Sequence, residues 1–227
     1  MRFLRNSIGA AIIATLVLAL VGLVFGGSAA SAMADKDNAA KVAYAPIASG
    51  TYNFDPAHGV IGFSVRHLEI ALVEGRFKDF KGMVNFDDKD ITKSTVEFSA
   101  KIDSVDTGVA PRDAHLKTAD FFDAAKYPEM TFKSTKVEKK GKNLVLYGDL
   151  TIKGVTKPVA LPFTIAGAVS DPWGGTRFGI EASTRINRRD FGINFGNALA
   201  NGGFDVGNEV AIKLHLEVVR AESKSGK

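Results

Sequence analysis

The stretch Lys93–Asp103, KSTVEFSAKID, decides the fold, because from Thr95 onward its side chains alternate between polar and apolar. Val96, Phe98 and Ala100 fall on one side of an extended chain, and the residues between them are polar. Since successive side chains of a strand face opposite sides of a sheet, this pattern predicts a strand with one dry face.

The same alternation recurs in about eight or nine segments between residues 51 and 222. The predicted strands include Val60–Leu68, Leu72–Phe86, Lys93–Asp103, Met130–Ser134, Leu144–Ile152, Val159–Val169, Phe178–Ile186 and Val210–Val218. Most connections between them are short, which favours antiparallel neighbours. So many strands in one domain predict an all-β sheet that closes on itself. The interior of such a barrel is either just filled or just able to hold one small ligand.

Glycines and two longer segments interrupt the pattern. Gly75 and Gly82 lie inside the second predicted strand, where we expect bulges or sharp bends. Pro111–Lys126 has no alternation, begins with a proline suited to a first helical turn, and predicts one or two short helices that cross between strands. Asn187–Asn208 is rich in glycine and asparagine and predicts a long loop.

The N-terminus has the order of an export signal. Arg2 and Arg5 precede Ile8–Phe25, which contains no charged residue, and small residues follow, with the A-x-A pattern at both Ala30–Ala32 and Ala32–Ala34. An uncleaved membrane anchor is the alternative, and in that case the leader would be the protein's membrane contact. The predicted organisation is a signal peptide at 1–34, a linker at 35–50, a barrel domain at 51–222 and a tail at 223–227.

Charge and cysteine content exclude several functions. The formal net charge is +4, and residues 1–34 carry two of the 29 basic side chains and none of the 25 acidic ones, so the remainder stands at +2. This near-neutral balance does not indicate a nucleic-acid partner. The chain has no cysteine, which excludes thiol catalysis, cysteine-ligated zinc and disulfides.

No motif predicts a cofactor, a metal or a catalytic constellation. The four histidines, His58, His67, His115 and His215, show no ligand spacing. His67 differs from the others because it ends a predicted strand, where it could line a barrel mouth. Arg112 and Arg188 stand beside acidic residues at a helix start and a strand end. Each fits either an anion seat or an arginine–aspartate network that ties the loops to the barrel.

The aromatic residues favour an apolar interior. The chain has 16 phenylalanines, and most of those beyond the leader fall on apolar strand faces, in the crossover or in the late loop. They form either an ordinary filled core or the wall of a slot that takes a hydrocarbon chain. The predicted slot residues are Phe63, Phe86, Phe98, Phe132, Leu146, Phe163 and Phe178.

Ten segments together resemble the YceI-like family, the lipocalin-like polyisoprenoid-binding proteins exported by bacteria. They are Asp55–His58, Ile61–His67, Gly75–Phe77, Ser104–Gly108, Arg112–Lys117, Asp120–Asp123, Tyr127–Ser134, Gly148–Val159, Arg188–Ile193 and Val206–Val210. GDLTIKGVTKPV at Gly148–Val159 is the most specific of them. Arg189 and Asn208 depart from the family pattern, which often has serine and aspartate there.

The resemblance implies an antiparallel eight-stranded lipocalin-like barrel with an elongated apolar pocket, capped at one end by the helical crossover. It implies a periplasmic carrier for a polyisoprenoid, a quinone or a fatty-chain lipid. From the residues themselves, we expect the polar head near His67, Arg112 or Arg188. The resemblance implies no enzymatic activity, and similar proteins often dimerise, so a homodimer is an expectation. The alternative function is a stress-related structural barrel with a filled core that binds another protein or nothing.

Overall fold

The hydrogen-bond ladder closes because the first strand pairs on both of its edges. A computed structural model describes residues 44–200 and 202–221. Its strands are β1 (Gly50–Phe54), β2 (Val60–His67), β3 (Ala71–Phe77), β4 (Phe80–Phe86), β5 (Thr95–Lys101), β6 (Val105–Asp106), β7 (Glu129–Lys140), β8 (Asn143–Ile152), β9 (Val155–Ser170), β10 (Thr176–Asn187) and β11 (Val206–Arg220). The one α-helix of the described residues, α1, is Ala110–Leu116, and 3₁₀ turns lie at Ile91–Lys93, Ile102–Ser104 and Arg188–Phe191.

Eleven strands make eight barrel positions, since three positions are each built from two strands. β1 and β2 share one position, and both pair with β11. β4 pairs with β1 and β3 with β2, so β3 and β4 share the next position. β5 pairs with β4 and β6 with β3, so β5 and β6 share the third. β7 to β11 follow in order, and all pairings are antiparallel. The predicted eight-stranded antiparallel barrel is confirmed.

The second predicted strand breaks at a place that its glycines did not indicate. The interruption between β3 and β4 falls at Lys78 and Asp79, whereas Gly75 and Gly82 remain inside the strands. These glycines make room for aromatic rings: a Cβ on Gly75 would stand 2.8 Å from Cε1 of Phe63, and one on Gly82 would stand 2.6 Å from Cε2 of Phe54. The strand registers run past both glycines without a shift, so neither position is a bulge.

The crossover and the late loop are more ordered than the sequence indicated. The crossover contains a single helix, α1, with its proline in the first turn as predicted, followed by turns. The late loop begins with the 3₁₀ turn Arg188–Phe191 and contains a β-bridge between Ala198 and Phe204. Both segments close the same end of the barrel, so the helical cap is confirmed.

The last residues of the predicted linker lie against the barrel. Ala45 forms an antiparallel bridge with Ala168 of β9, with N–H···O distances of 2.9 and 3.2 Å. The hydroxyl of the fully buried Tyr52 donates to the carbonyl of Ala48 at 2.9 Å, which satisfies a polar group in the core. The predicted leader and the linker up to residue 43 lie outside the described residues. Within the described ranges, no helix has the length and apolar character needed to cross a bilayer.

Replacing Gly148 by alanine is expected to lower the free energy of unfolding by about 1–3 kcal/mol. The new Cβ would overlap the Phe132 ring and stand 2.6 Å from the backbone oxygen of Lys133, which cannot rotate away. Urea unfolding measures the effect. Gly62→Ala is the control, since its Cβ would meet no atom closer than 3.5 Å. Equal stability of the two variants would contradict this packing.

Candidate functional site

The barrel encloses two adjoining cavities. The upper cavity, about 120 Å³, lies under the cap, where Leu116, Phe121 and Phe122 of the crossover close it. The lower cavity, about 60 Å³, lies toward the opposite end and is bordered by Phe86 and Val137 among others. The wall surface that faces each cavity is wholly apolar. A dry apolar cavity of this order of size can bind a small hydrocarbon.

Five side chains line both cavities and form a waist between them, which we call the collar. The collar consists of Ile61, Phe98, Phe132, Leu161 and Leu214. Its members come partly as cross-strand neighbours, because Ile61 pairs with Leu214 and Phe98 pairs with Phe132. The Phe98 and Phe132 rings are stacked, with centroids 5.8 Å apart and planes at 21°.

All seven predicted slot residues border the lumen. Phe63 lines the upper cavity, and Phe98 and Phe132 line both. The other four line the lower cavity: Phe86, Leu146, Phe163 and Phe178. The structure therefore brings the predicted set together around the two cavities, and a ligand contact for each of them stays a prediction.

The sequence analysis missed three of the five collar residues, Ile61, Leu161 and Leu214. Each stands on an apolar stripe of its strand, so alternation already indicated that it points inward. Alternation does not give the height of a residue along the barrel, which depends on strand register. The register of β2 with β11, which pairs Ile61 with Leu214, and that of β8 with β9, which pairs Leu146 with Leu161, would have placed them.

Arg188 lies in the wall of the upper cavity, but its charge is turned away from it. The side chain is 4% exposed, and its guanidinium donates to the carbonyls of Gly207, Ile193 and Val206 at 2.9, 2.8 and 2.8 Å. Because the cavity surface is apolar, Arg188 contributes its alkyl stem to the wall. Burial is the main cause that lowers the pKa of the guanidinium from its usual value. These contacts fasten the late loop to β11.

The other two predicted head-group residues lie outside the lining of both cavities. Arg112 on α1 donates to the hydroxyl and the carbonyl of Thr107 at 2.7 and 2.9 Å. Asp113 accepts from the same Thr107 hydroxyl, so the two residues tie the helix to the loop that precedes it. His67 is exposed at the end of β2 and pairs in register with Val206, which does line the upper cavity.

A charged network that the sequence did not predict lies where β1, β10 and β11 meet. His58 Nδ1 is 3.0 Å from a carboxylate oxygen of Asp55 and 3.9 Å from one of Glu217. Arg177 Nη1 lies 2.7 Å from Asp55 and 2.5 Å from Glu217, and its Nε lies 2.5 Å from Asp171. Asp55, His58 and Glu217 are metal-ligating residue types, but Arg177 already supplies the positive charge between the two carboxylates. The network therefore fits a structural ion-pair cluster.

Lowering the pH from about 4 to about 2 is expected to destabilise the barrel through Asp55. The hydrogen bond to His58, followed by the one to Arg177, lowers the pKa of Asp55 to about 2 from 3.8. The unfolded chain therefore takes up this proton at a higher pH than the folded chain, and the stabilisation is lost as the pH falls through this window. Urea midpoints at several acidic pH values should fall less steeply for Asp55→Asn than for the unmodified protein. Equal slopes would contradict the assignment.

Comparisons with known proteins decide the family. A family model described as the YceI-like domain matches residues 52–218. The chain belongs to the YceI-like family. Protein YceI of Escherichia coli is 46% identical over 136 residues, which cover 60% of this chain and 71% of that protein. The resemblance to the YceI-like family is thereby confirmed.

Solved structures share the YceI-like barrel. BcnA of Burkholderia cenocepacia is 27% identical, with a TM-score of 0.63 over 72% of this chain and 98% of that one. A polyisoprenoid binding domain from Saccharophagus degradans, implicated in plant cell wall breakdown, has a TM-score of 0.56 over 75% of this chain and 98% of that one. At 15% identity, the latter likeness shows the common fold.

Proposed function

We propose that this YceI-like protein is an exported binding protein that holds the tail of a long-chain isoprenoid or similar amphiphile inside its barrel. The observation that carries the proposal is the pair of adjoining cavities with wholly apolar walls. In a core that serves only to stabilise the fold, side chains would be expected to fill such space, because each void removes packing contacts and lowers stability. A pre-formed apolar lumen is what a carrier of hydrocarbon requires.

The affinity would come from the tail. Each buried methylene contributes about 0.8 kcal/mol, so a chain gains affinity without any polar contact in the lumen. The apolar walls offer no hydrogen-bonding group that would select a particular tail. Selection by a polar head would therefore take place outside the two cavities.

The head would rest at the capped end of the barrel. The alkyl stem of Arg188 lines the upper cavity at that end. Arg112 lies on α1, whose Leu116 lines the same cavity. His67 pairs in register with Val206, which also lines it. Arg112 already donates to Thr107, and Arg188 already donates to carbonyls of the late loop and β11, so a head would have to share or displace these bonds. His67 is the exposed member of the three.

A periplasmic location and a carrier role without catalysis belong to the same proposal. The predicted leader would export the domain. Among the described residues, no arrangement of side chains indicates a particular reaction. The Saccharophagus degradans domain, which shares the fold, is named for polyisoprenoid binding and supports this class of ligand. A structural barrel that binds no lipid is the second candidate, and the small size of the cavities favours it.

The proposal is tested by native mass spectrometry of the protein purified from its own host, from the compartment to which it is exported. We expect a bound amphiphile that leaves on extraction with organic solvent. Repeated spectra without ligand, together with no saturable binding of an environment-sensitive apolar dye, would favour the structural barrel.

A further inference from the structure

The two cavities together hold less hydrocarbon than a long tail contains. An apolar cavity of about 150 Å³ accepts benzene, so by proportion the upper cavity holds about five carbons and the lower one about two. A tail whose head lies at the capped end thus occupies the upper cavity first, because that cavity lies directly under the cap. It then meets the collar, which separates it from the lower cavity.

The two stacked rings of the collar are not equally fixed. Phe132 is 3% exposed, and its ring lies over Gly148 so closely that even a methyl group there would overlap it. It is held on its wall by this contact and by the stacking. A change of rotamer by Phe132 would therefore have to break close packing against β8.

Phe98 has more freedom. It is only half-buried, whereas Phe132 is buried, although both rings border the same groove on the outer surface. Its register partner on β4 is Gly82, which has no side chain to hold the ring in place, although the Phe54 ring lies nearby. Between the two collar aromatics, Phe98 is the one that can move at the lower cost.

We propose that Phe98 sets the length of tail that the lumen accepts, by dividing the lower cavity from the upper one at the collar. This inference rests on the proposed function and assigns a residue to the selection of chain length. With the ring in its observed position a tail is confined to the upper cavity. Movement or removal of the ring joins the two cavities and admits further carbons.

A chain-length series tests the inference on the full exported protein after its lipid has been extracted. Straight-chain carboxylic acids of four to sixteen carbons are titrated in competition with an environment-sensitive apolar probe. Each added methylene that enters the lumen should lower Kd by about fourfold. For the unmodified protein we expect this gain to stop after about five or six buried carbons, and for Phe98→Ala we expect the break to come at least two carbons later.

Phe86→Ala is the matched control, because it removes the same ring from the lower cavity alone and should leave the break where it is. Phe98→Leu serves if the alanine variant folds poorly, and it should shift the break in the same direction. A gain that continues to the longest acid in the unmodified protein, or breaks at the same length in the Phe98 and Phe86 variants, would overturn the inference while leaving the proposed function intact. If no acid binds saturably, the proposed function fails and this inference with it.

Discussion

Replacing Arg188 by methionine is expected to lower the free energy of unfolding by about 3 kcal/mol. The guanidinium satisfies three backbone carbonyls, those of Ile193, Val206 and Gly207, and the side chain is 4% exposed. Without it these carbonyls lose their partners, and each unsatisfied buried polar group costs about 1–3 kcal/mol. Part of that cost is offset because the variant no longer buries a charge. Methionine keeps an unbranched apolar stem in the wall of the upper cavity.

Urea unfolding of lipid-free protein is the appropriate measurement, since a bound ligand would add its own stabilisation to the folded state. Arg188→Lys is the control. Its ammonium is one point charge without the planar fork, so we expect it to recover only part of the loss. If the methionine variant unfolds within about 0.5 kcal/mol of the unmodified protein but loses amphiphile binding, Arg188 is a head-group seat and its loop contacts contribute little.

Replacing Leu161 by phenylalanine is expected to weaken amphiphile binding at least tenfold without destabilising the barrel. Leu161 belongs to the collar, so a larger side chain there grows into space that both cavities share. Filling an existing cavity commonly adds about 0.5–2 kcal/mol of stability. In a barrel without voids the same change would instead cost about 1–3 kcal/mol through overpacking. The sign of the stability change therefore reports whether the collar borders empty space.

Val218→Leu is the comparison for this experiment. Val218 is fully buried and lines neither cavity, so an added methylene there has no void to enter and should destabilise the protein. Unfolding curves and probe titrations of both variants complete the test. Destabilisation of Leu161→Phe to the same degree as Val218→Leu would mean that the lumen is effectively filled.

The strands could be predicted from the sequence because one face of each had to be dry. β5 illustrates this: Val96, Phe98 and Ala100 all point to the interior, as alternation indicated. The break at Lys78 and Asp79 could not be predicted in the same way. It coincides with no glycine, and its position depends on pairing with β2 on one side and β1 on the other.

The site could be predicted only in part. Alternation identified seven aromatic and aliphatic residues that border the cavities, because inward direction is a local property. Alternation did not indicate that Phe98 and Phe132 form a collar with Ile61, Leu161 and Leu214, because this depends on which residues of different strands share one height in the barrel. The contacts of Arg188 were missed for a related reason: its partners are backbone carbonyls of the loop and β11, and side-chain types carry no information about these.

The central claim is that hydrocarbon occupies the lumen, and anomalous diffraction tests it most directly. Crystals are grown with a carboxylic acid of about six carbons that carries bromine at the end of its tail. We predict one bromine peak inside the barrel, in the upper cavity near Phe98 and Leu161. Bromine found only on the outer surface, with both cavities empty at saturating ligand, would contradict the account.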